Sequence, residues 1–428
     1  MKIALLTLYG HLQSTNSLVS VAADHLTMLL DANIETKMLV CEQCLDEERH
    51  GIFLDKRIEW VKVSNTYKGK PIEWYDYNEP YGEVHDTFFE EADTIAKDLV
   101  IKLADVDVCI IHDILYHSVH LINNVALRKA QEHLPKVKFL SFSHSAPAPP
   151  PHKPDYPFSA RFTPMPNTTY ITFTYALLPA LAKQYGIVEG KCRVVNNCLD
   201  MLRYMSEPMI KVAREVDLFT PDILIVYPAR FTPDKQFKKV AALAGSIKTS
   251  THKSVKVIFC DVPSEDTDND EYKALVQEEG CNYGLDMTDM VFTSDLGFPN
   301  GFPRSAILEL FTLSNLFISS SMSEAFQLTV IEAASRGNFI VLNRNVPALE
   351  ELGKHLQAYF LPWDANISGV YLKENYSPSE YDFFQAHAIE IVNQMMTNTV
   401  LHAKTIARQR FSPSWIWKNQ MEPLLESL

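Results

Sequence analysis

Short apolar runs rich in Val, Ile and Leu recur along the whole chain, and stretches with helical periodicity lie between many of them. Near-continuous apolar strands that alternate with helices are typical of parallel sheets covered on both faces. The pattern therefore predicts two α/β domains in tandem, each a Rossmann-like, doubly wound sheet. The first group of predicted strands is Lys2–Leu8, Thr36–Val40, Ile58–Val63, Asp107–Ile111, Val137–Phe142, Tyr170–Phe173 and Cys192–Val195. The second group is Asp222–Tyr227, Val255–Cys260, Met290–Thr293, Asn315–Ser319, Asn338–Leu342 and Ala358–Leu361.

The break between the two groups falls after Asp200, and a helix predicted over Leu202–Val216 leads into the second group. A chain of 428 residues is too long for a single hydrophobic core. We predict one domain over 1–200 and a second over 201–410. Ligands of open parallel sheets bind outside the carboxyl ends of the strands, so we expect a ligand cleft where the two domains face each other.

Charge and cysteine content narrow the class of protein. The net charge is −14, and the acidic excess is spread over both halves, which gives no support for an electrostatic grip on nucleic acid. No apolar stretch approaches the 18 residues of a membrane span, and the short apolar run at the start does not resemble a secretory signal. The odd number of cysteines, seven, indicates reduced thiols, so we predict a cytoplasmic protein.

Two cations follow the first strand of the second group. Arg230 and Lys235 stand five residues apart in the loop predicted after Tyr227. Arg offers a two-pronged fork and Lys a point charge, a combination suited to a diphosphate. Two solvated surface cations are the competing interpretation, because exposed cations are common.

The loop after Asn315–Ser319 carries Glu324 and opens a helix predicted from Gln327 to the C-terminal Gly337, with Glu332 inside it. Backbone N–H groups of Gln327, Leu328 and Thr329 point out of such a helix start and suit phosphate oxygens. The two carboxylates suit sugar hydroxyls as hydrogen-bond acceptors. An ordinary amphipathic helix with an incidental Glu is the competing interpretation.

Strand-end residues of the first group are further candidates. His144 follows Val137–Phe142 and His112 follows Asp107–Ile111, so both are predicted at the ligand edge of the first sheet. Thr15 and Asn16 lie in the first strand-to-helix loop and are predicted to bind a phosphate or the acceptor. A structural role for a lone His, or a metal site formed by His112, His117 and His120, are the alternatives.

Taken in order, these loops resemble the GT-B glycosyltransferases, in particular the large retaining family of sucrose synthases and bacterial mannosyl- and glucosyltransferases (glycosyltransferase family 4 type). The residues that carry the resemblance lie mainly between Tyr175 and Leu352: Val194–Asp200, Arg230 with Lys235, Glu324 with Glu332, Gly337 and Asn345–Glu351. Phe411–Trp415 resembles the start of that family's final helix, which implies that 411–428 packs back on the first domain.

The resemblance implies a role for each candidate. Arg230 and Lys235 would neutralise the leaving diphosphate, and Glu332 would hold the ribose hydroxyls. Glu324 and His144 would lie beside the transferred sugar, with the base read by backbone around Thr293. The activity implied is transfer of a sugar, with retention, from a UDP- or GDP-type nucleotide diphosphate sugar to an unidentified acceptor: a small molecule, glycan, protein or modified DNA. No metal and no cofactor beyond this co-substrate is implied.

The sequence departs from the family at several glycines. The chain has 14 glycines in 428 residues. Ala325, Gln327 and Gln236 stand where the family often has glycine, and the loop after the first strand lacks the usual glycine pair. We therefore expect the donor pocket to differ most from that of its relatives. A nucleotide-sugar epimerase, a phosphorylase or a non-catalytic nucleotide-sugar-binding protein of the same fold stay open as alternatives.

Overall fold

The computed structural model of the protein describes residues 1–8, 10–13, 15–77, 83–145 and 154–428. The chain forms two compact units. The first comprises Met1–Leu199 and Pro413–Leu428, and the second comprises Asp200–Ser412. Each unit is a parallel sheet with helices.

The sheet of the first unit has seven strands in the order β3-β2-β1-β6-β7-β8-β9, all parallel. A short antiparallel hairpin, β4–β5, stands apart from it. The strands are β1 Lys2–Leu6, β2 Glu35–Cys41, β3 Ile58–Val63, β4 Thr66–Tyr67, β5 Lys70–Pro71, β6 Val108–His112, β7 Lys138–Phe142, β8 Thr168–Thr172 and β9 Cys192–Val194; the helices are α1 Ser17–Asp31, α2 Phe88–Lys102, α3 Leu121–Glu132 and α4 Leu178–Tyr185.

The second unit has a six-stranded parallel sheet in the order β12-β11-β10-β13-β14-β15, the strand order of a Rossmann fold. A second short hairpin, β16–β17, follows it. The strands are β10 Ile223–Arg230, β11 Val255–Val262, β12 Met290–Phe292, β13 Leu316–Ser319, β14 Phe339–Asn343, β15 Tyr359–Leu361, β16 Ala365–Ile367 and β17 Val370–Leu372; the helices are α5 Glu207–Glu215, α6 Phe237–Thr251, α7 Asn269–Asn282, α8 Arg304–Leu313, α9 Leu328–Ser335, α10 Pro347–Leu356, α11 Glu380–Thr397 and α12 Thr399–Arg410.

The chain returns to the first unit at its end. Helices α13 Pro413–Ile416 and α14 Glu422–Glu426 flank a π-helical segment, Trp417–Met421. Ile416 and Met421 are fully buried in a core cluster with Val19 and Leu26 of α1. The backbone N–H of Asn196 donates to Gln420 Oε1 at 2.6 Å, which adds a polar contact to this packing.

Both sheets are covered on both faces, as near-continuous apolar strands require. Along β1, Ile3 and Leu5 pack into one buried cluster, whereas Ala4 and Leu6 pack into the other. The strand β10 divides its side chains in the same way. The predicted fold class, α/β with two Rossmann-like doubly wound sheets, is confirmed.

Most predicted elements differ from the structure by one or two residues at an end, and two differ in a way that affects the second unit. The strand predicted to end at Tyr227 continues to Arg230, so Pro228 lies within β10. Proline is tolerated there because the register of β10 with β13 is confined to Ile225 and Leu316, which leaves the last residues of β10 paired on the β11 side.

The helix predicted over Leu202–Val216 is two elements. A 3-10 turn, Met201–Tyr204, precedes α5, and the break falls at Ser206, whose backbone N–H and hydroxyl both bond Glu309 Oε2 at 3.0 and 2.7 Å. Pro208 in the first turn of α5 suits a new helix start, because proline has no N–H to offer a continuing helix.

Within the described residues, no helix combines the length and the apolar character that a bilayer span requires.

Candidate active site

The second sheet reverses its strand order between β10 and β13, and ligands of such sheets bind outside the carboxyl ends at that point. The segment after β10 contains Lys235, and the segment after β13 contains Glu324. Topology therefore brings these two sequence-predicted groups to one place, although they are 89 positions apart.

Lys235 and Glu324 form an ion pair at this switch point. Lys235 Nζ lies 2.7 Å from Glu324 Oε1 and donates to Ser321 Oγ at 3.2 Å. The two side chains are only 14% and 16% exposed, so most of the pair is removed from water. Asp234 Oδ2 lies farther from the same ammonium group, at 3.9 Å, beyond hydrogen-bond distance. An ammonium group has three donors, so a donor not used by Glu324 and Ser321 can bind a phosphate oxygen.

Backbone contacts fix the position of Lys235. It ends a 3-10 turn, Pro233–Lys235, and its carbonyl accepts hydrogen bonds from the hydroxyls of Tyr227 at 2.6 Å and Ser320 at 3.2 Å. Burial raises the pKa of Tyr227, so its hydroxyl stays protonated and can donate. The strand end and the loop after β13 thus hold the lysine from two sides.

Arg230 is the last residue of β10 rather than a loop residue, and its side chain is exposed. Among the described residues, no hydrogen bond or ion pair joins Arg230 to Lys235 or Glu324. Arg230 therefore lies at the carboxyl end of β10, but its guanidinium is not part of the buried Lys235–Glu324 ion pair.

Gln236 and Gln327 both turn their side chains into the protein. Gln236 has φ 50°, the left-handed conformation that favours glycine, and its amide nitrogen donates to the carbonyls of Ser320 at 2.5 Å and Asp364 at 2.9 Å. Gln327 accepts a hydrogen bond from the buried hydroxyl of Ser319 at 2.5 Å. Both amides therefore stabilise the loop after β13.

Helix α9 begins at this loop with exposed backbone donors. Gln327 is its N-cap residue and makes no side-chain capping bond, so the first N–H groups, including those of Leu328 and Thr329, have no partner within the helix. The position of these groups matches the sequence prediction of a phosphate-suited helix start.

Glu332 is 16% exposed and forms an ion pair with Arg304 of α8. Arg304 was not predicted as a site residue. No local motif marks it, since it is a single cation at a helix start and only the packing of α8 beside α9 brings it to Glu332.

Thr293 follows β12 and is fully buried, with its hydroxyl 3.3 Å from Asp261 Oδ1. The same carboxylate oxygen accepts the backbone N–H of Ser294 at 3.1 Å. Asp261, near the end of β11, therefore shapes the turn after β12, and sequence reasoning missed it.

In the first unit, His112 at the end of β6 and His144 after β7 are hydrogen-bonded, with His112 Nδ1 2.7 Å from His144 Nε2. Asp113 Oδ1 accepts the backbone N–H of His144 at 2.7 Å. His25 of α1 lies against His112, with ring centroids 5.1 Å apart. Sequence reasoning missed His25, which reads as an ordinary position on a helix.

Burial keeps these imidazoles neutral. Desolvation lowers the pKa of His112 well below its usual value, with the neighbouring imidazoles adding to the effect, and lowers that of His25 to about 3. Desolvation also lowers the pKa of His144, although Asp113 opposes this. In a neutral pair one ring donates and the other accepts, so the His112–His144 bond couples the two tautomers: when His112 donates from Nδ1, His144 accepts at Nε2, and the reverse arrangement satisfies the bond equally.

Thr15 and Asn16 are exposed, and Asn16 caps α1 by accepting the backbone N–H of Leu18 at 3.0 Å. The proline-rich stretch after His144, from 146 to 153, lies outside the described residues.

Other polar clusters in the described chain have structural explanations. No three of its His, Cys, Asp and Glu side chains are grouped in a way that could hold a metal ion. Asp268, in an acidic segment that superficially resembles a metal-binding motif, caps α7 by accepting the backbone N–H of Glu271 at 3.1 Å. Burial raises the pKa of Cys44 to about 11, so this thiol is a poor nucleophile.

The segment 210–367 matches the model of the family described as glycosyl transferases group 1. The predicted resemblance to GT-B glycosyltransferases is thereby confirmed. Every donor-side residue predicted from the sequence lies inside this match: Arg230, Lys235, Thr293, Glu324, Gln327, Leu328, Thr329 and Glu332. His112, His144, Thr15 and Asn16 lie outside it.

Solved structures of glycosyltransferases are similar over the full length of the chain. A glycosyltransferase from Rickettsia africae is 15% identical, with 99% of this chain and 98% of that chain covered and a TM-score of 0.38. HepE from Anabaena, in complex with UDP and glucose, is 15% identical, with both chains fully covered and a TM-score of 0.36. Sucrose-phosphate synthase from Thermosynechococcus elongatus is 13% identical, with 100% and 98% covered and a TM-score of 0.38. No curated protein sequence matches the chain.

Proposed function

We propose that this protein transfers a sugar from a UDP- or GDP-type nucleotide diphosphate sugar to an acceptor, with retention at the anomeric carbon. The observation that carries the proposal is the partly buried Lys235–Glu324 pair, which lies at the switch point of the second sheet. The start of α9, free of a side-chain cap, follows Glu324 by four residues.

The leaving diphosphate is stabilised by groups that need little rearrangement. Lys235 is already held by two contacts to its carbonyl, and the first N–H groups of α9 point out of a helix start. Preorganised donors of this kind are usually the largest electrostatic contribution to catalysis. The exposed guanidinium of Arg230 supplies a second cation.

The nucleoside and sugar are assigned to the surrounding loops. Glu332, oriented by Arg304, accepts hydrogen bonds from the ribose hydroxyls, and the backbone around Thr293 reads the base. Glu324 and His144 act beside the transferred sugar. In a front-face reaction the leaving phosphate takes the acceptor proton, so no separate general base is required.

Two substitutions in the Lys235–Glu324 ion pair test the proposed donor site. Lys235→Met removes the cation, so we expect UDP or GDP to lose most of its effect on the melting temperature, since a ligand stabilises only the state that binds it. Glu324→Gln keeps a hydrogen-bond acceptor but removes the negative charge beside the diphosphate. We expect nucleotide affinity to rise several-fold and the transfer rate to fall.

The matched control is Lys238→Met on α6, where the lysine is 40% exposed and pairs with Glu279 at 3.4 Å. This variant should bind nucleotide as the parent does. Lys235→Met with an unchanged thermal shift, or Glu324→Gln with weaker nucleotide binding, would contradict the donor site. UDP, GDP and ADP are compared in the same assay to identify the base.

Retention is tested by the anomeric configuration of the product, read from its NMR coupling constants. Inversion would refute retention while leaving sugar transfer intact. Formation of a free sugar epimer or a sugar phosphate would favour the epimerase or phosphorylase. Nucleotide binding with no turnover over a broad acceptor panel would favour a non-catalytic role.

We further propose that the reaction needs no metal ion and no separate cofactor and takes place in the cytoplasm. No disulfide joins any of the seven cysteines, which suits a reducing compartment. Turnover should be unchanged by EDTA, and activity that is lost with EDTA and restored by Mg²⁺ would refute metal independence.

A further inference from the structure

The first unit has a cavity of about 290 Å³ at its own switch point, between the carboxyl ends of β1 and β6. Its polar and aromatic lining includes Thr7, Gln13, Asn16, Trp74, His112 and His120. Since His112 is bonded to His144, the cavity adjoins a residue that the proposed function puts beside the transferred sugar.

The described lining contains no Lys, Arg, Asp or Glu. Desolvation keeps the His112 ring neutral and lowers the pKa of His120 to about 3. His11, which also lines the cavity, is exposed, and its ring is already paired with a carboxylate, since Nδ1 lies 2.8 Å from Glu48 Oε1. An anionic group buried here would have no cationic partner, and an unpaired buried charge is strongly unfavourable.

The start of α1, which borders the cavity, is also unsuited to a phosphate. Asn16 Oδ1 accepts the N–H of Leu18, and the Asn16 carbonyl accepts the N–H groups of Val19 and Ser20 at 3.1 and 3.3 Å. These first-turn donors are therefore committed within the protein. In this respect α1 differs from α9, whose N-cap residue makes no side-chain bond.

Two features of the lining favour a neutral polyhydroxylated ligand. His112 Nε2 and His120 Nδ1 are buried ring nitrogens without a partner in the described chain, and a hydroxyl, which both donates and accepts, can satisfy either tautomer. Trp74 is 48% exposed, and its ring meets His120 edge-on at 4.8 Å. The exposed indole offers a flat apolar surface to the C–H face of a sugar ring.

We propose that this cavity binds the acceptor and that the acceptor is an uncharged carbohydrate, stacked on Trp74 and hydrogen-bonded near His112 and His120. The assignment of the cavity to the acceptor rests on the proposed glycosyl transfer. Its preference for uncharged carbohydrate rests on the lining alone.

Ligand-observed NMR tests the preference with defined probes: glucose, galactose, mannose, N-acetylglucosamine and maltose, each of the hexoses paired with its 6-phosphate. We expect at least one neutral sugar to bind and its phosphate to bind about tenfold more weakly or not at all. Trp74→Ala should weaken the neutral sugar by about tenfold, the scale of one aromatic contact, and Trp74→Phe should restore most of the loss. The exposed Tyr175, which is 75% accessible in the same unit, supplies the control variant Tyr175→Ala.

A gain-of-function variant adds a second measurement. Gln13 is exposed at the cavity, so Gln13→Lys should fold and supply the missing cation, which should tighten the sugar phosphate relative to the neutral sugar. Three results would each overturn the proposal. The parent could bind a sugar phosphate more tightly than the neutral sugar, it could bind no neutral sugar at all, or Trp74→Ala could bind the neutral sugar as tightly as the parent does.

The outcomes separate this inference from the proposed function. If UDP and GDP bind nowhere but a neutral sugar binds through Trp74, glycosyl transfer fails and the carbohydrate cavity stands. If nucleotide binding depends on Lys235 but substitution of Trp74 does not change sugar binding, the donor site stands and the acceptor inference fails.

Discussion

The ion pair between Lys235 and Glu324 is a local compromise between stability and binding. Removing Lys235 leaves the largely buried Glu324 carboxylate unpaired, which generally costs several kcal/mol, whereas removing Glu324 leaves Lys235 with the more distant carboxylate of Asp234 at 3.9 Å. A diphosphate entering the site competes with Glu324 for the same ammonium group. The carboxylate therefore keeps the lysine in place while limiting how tightly a nucleotide can bind.

A neighbouring residue, Gln236, combines a strained backbone with a stabilising side chain. Its left-handed conformation costs a non-glycine residue roughly 1–2 kcal/mol, whereas its amide satisfies the carbonyls of Ser320 and Asp364. Gln236→Ala keeps the strain and loses both hydrogen bonds, so we expect a loss of about 1–3 kcal/mol in the free energy of unfolding. Gln236→Gly loses the same bonds but removes the strain, so it should be about 1 kcal/mol more stable than the alanine variant.

Urea unfolding of the parent and both variants measures this difference. Equal stability of Gln236→Ala and Gln236→Gly would mean that the left-handed backbone carries no cost in this loop. A parent that is no more stable than the alanine variant would mean that the two amide bonds contribute nothing.

The sequence identified the type and spacing of these residues but not the direction of their side chains. Replacement of glycine by Gln236 and Gln327 predicted an altered donor pocket, yet both side chains are buried against backbone or Ser319. The two carbonyls that Gln236 contacts lie 84 and 128 positions away along the chain, and no local sequence pattern encodes such contacts. Arg304 and Asp261 were not predicted either, because their contacts are also with residues far away along the chain.

At the scale of elements, hydrophobic period located most strands and helices to within a few residues, because burial on both sheet faces demands continuous apolar runs. The exception at β10 is informative. Pro228 suggested a strand end, but a strand that pairs on one side at its tip tolerates proline, and this extension moves Arg230 from a loop to the strand end.

Two neighbouring residues attach helix α12 to the segment before β10: Arg408, which is buried, and Gln409, whose amide donates to the carbonyl of Thr220 at 2.9 Å. Arg408 is 1% exposed and donates to the carbonyls of Leu218, Phe219 and Pro221 at 2.8, 2.9 and 2.5 Å. Desolvation lowers the pKa of Arg408 to about 10, with Asp217 and Asp222 opposing the shift, so the group is charged at neutral pH.

We expect Arg408→Leu to lower the free energy of unfolding by about 3–5 kcal/mol, because three carbonyls lose their charged donor. Arg408→Lys should recover only part of the loss, since a point charge cannot reproduce the planar fork. Urea unfolding measures both, with the exposed Arg214→Leu on α5, 71% accessible, as the control. A lysine variant as stable as the parent would show that charge alone, and not the fork, holds the helix.

At the scale of the whole molecule, the buried histidines of the first unit determine how stability responds to acid. In the first unit, burial lowers the pKa of His25 and His120 to about 3, and the pKa values of His112 and His144 are also lowered by desolvation. His25, His112 and His120 stay neutral in the folded state, whereas in the unfolded chain they take up protons below the ordinary histidine pKa of about 6.5. The folded first unit is therefore expected to be sensitive to mild acid.

The direction in which stability changes with pH follows from proton uptake by the unfolded state. Below pH 6.5 the unfolded state binds more protons than the folded state, so stability falls as pH falls, by about 1.4 kcal/mol per pH unit for each such histidine. We expect the free energy of unfolding, followed by fluorescence of Trp60, Trp74, Trp415 and Trp417 in the first unit, to decrease steadily from pH 6.5 to 5, a range in which most carboxylates stay ionised. His25→Gln removes one titrating group, so its slope should be smaller by about one proton, even if the variant is less stable at every pH. Parallel slopes for parent and variant would contradict the assignment of His25 as a neutral buried base, and a flat parent curve would contradict it for the whole set.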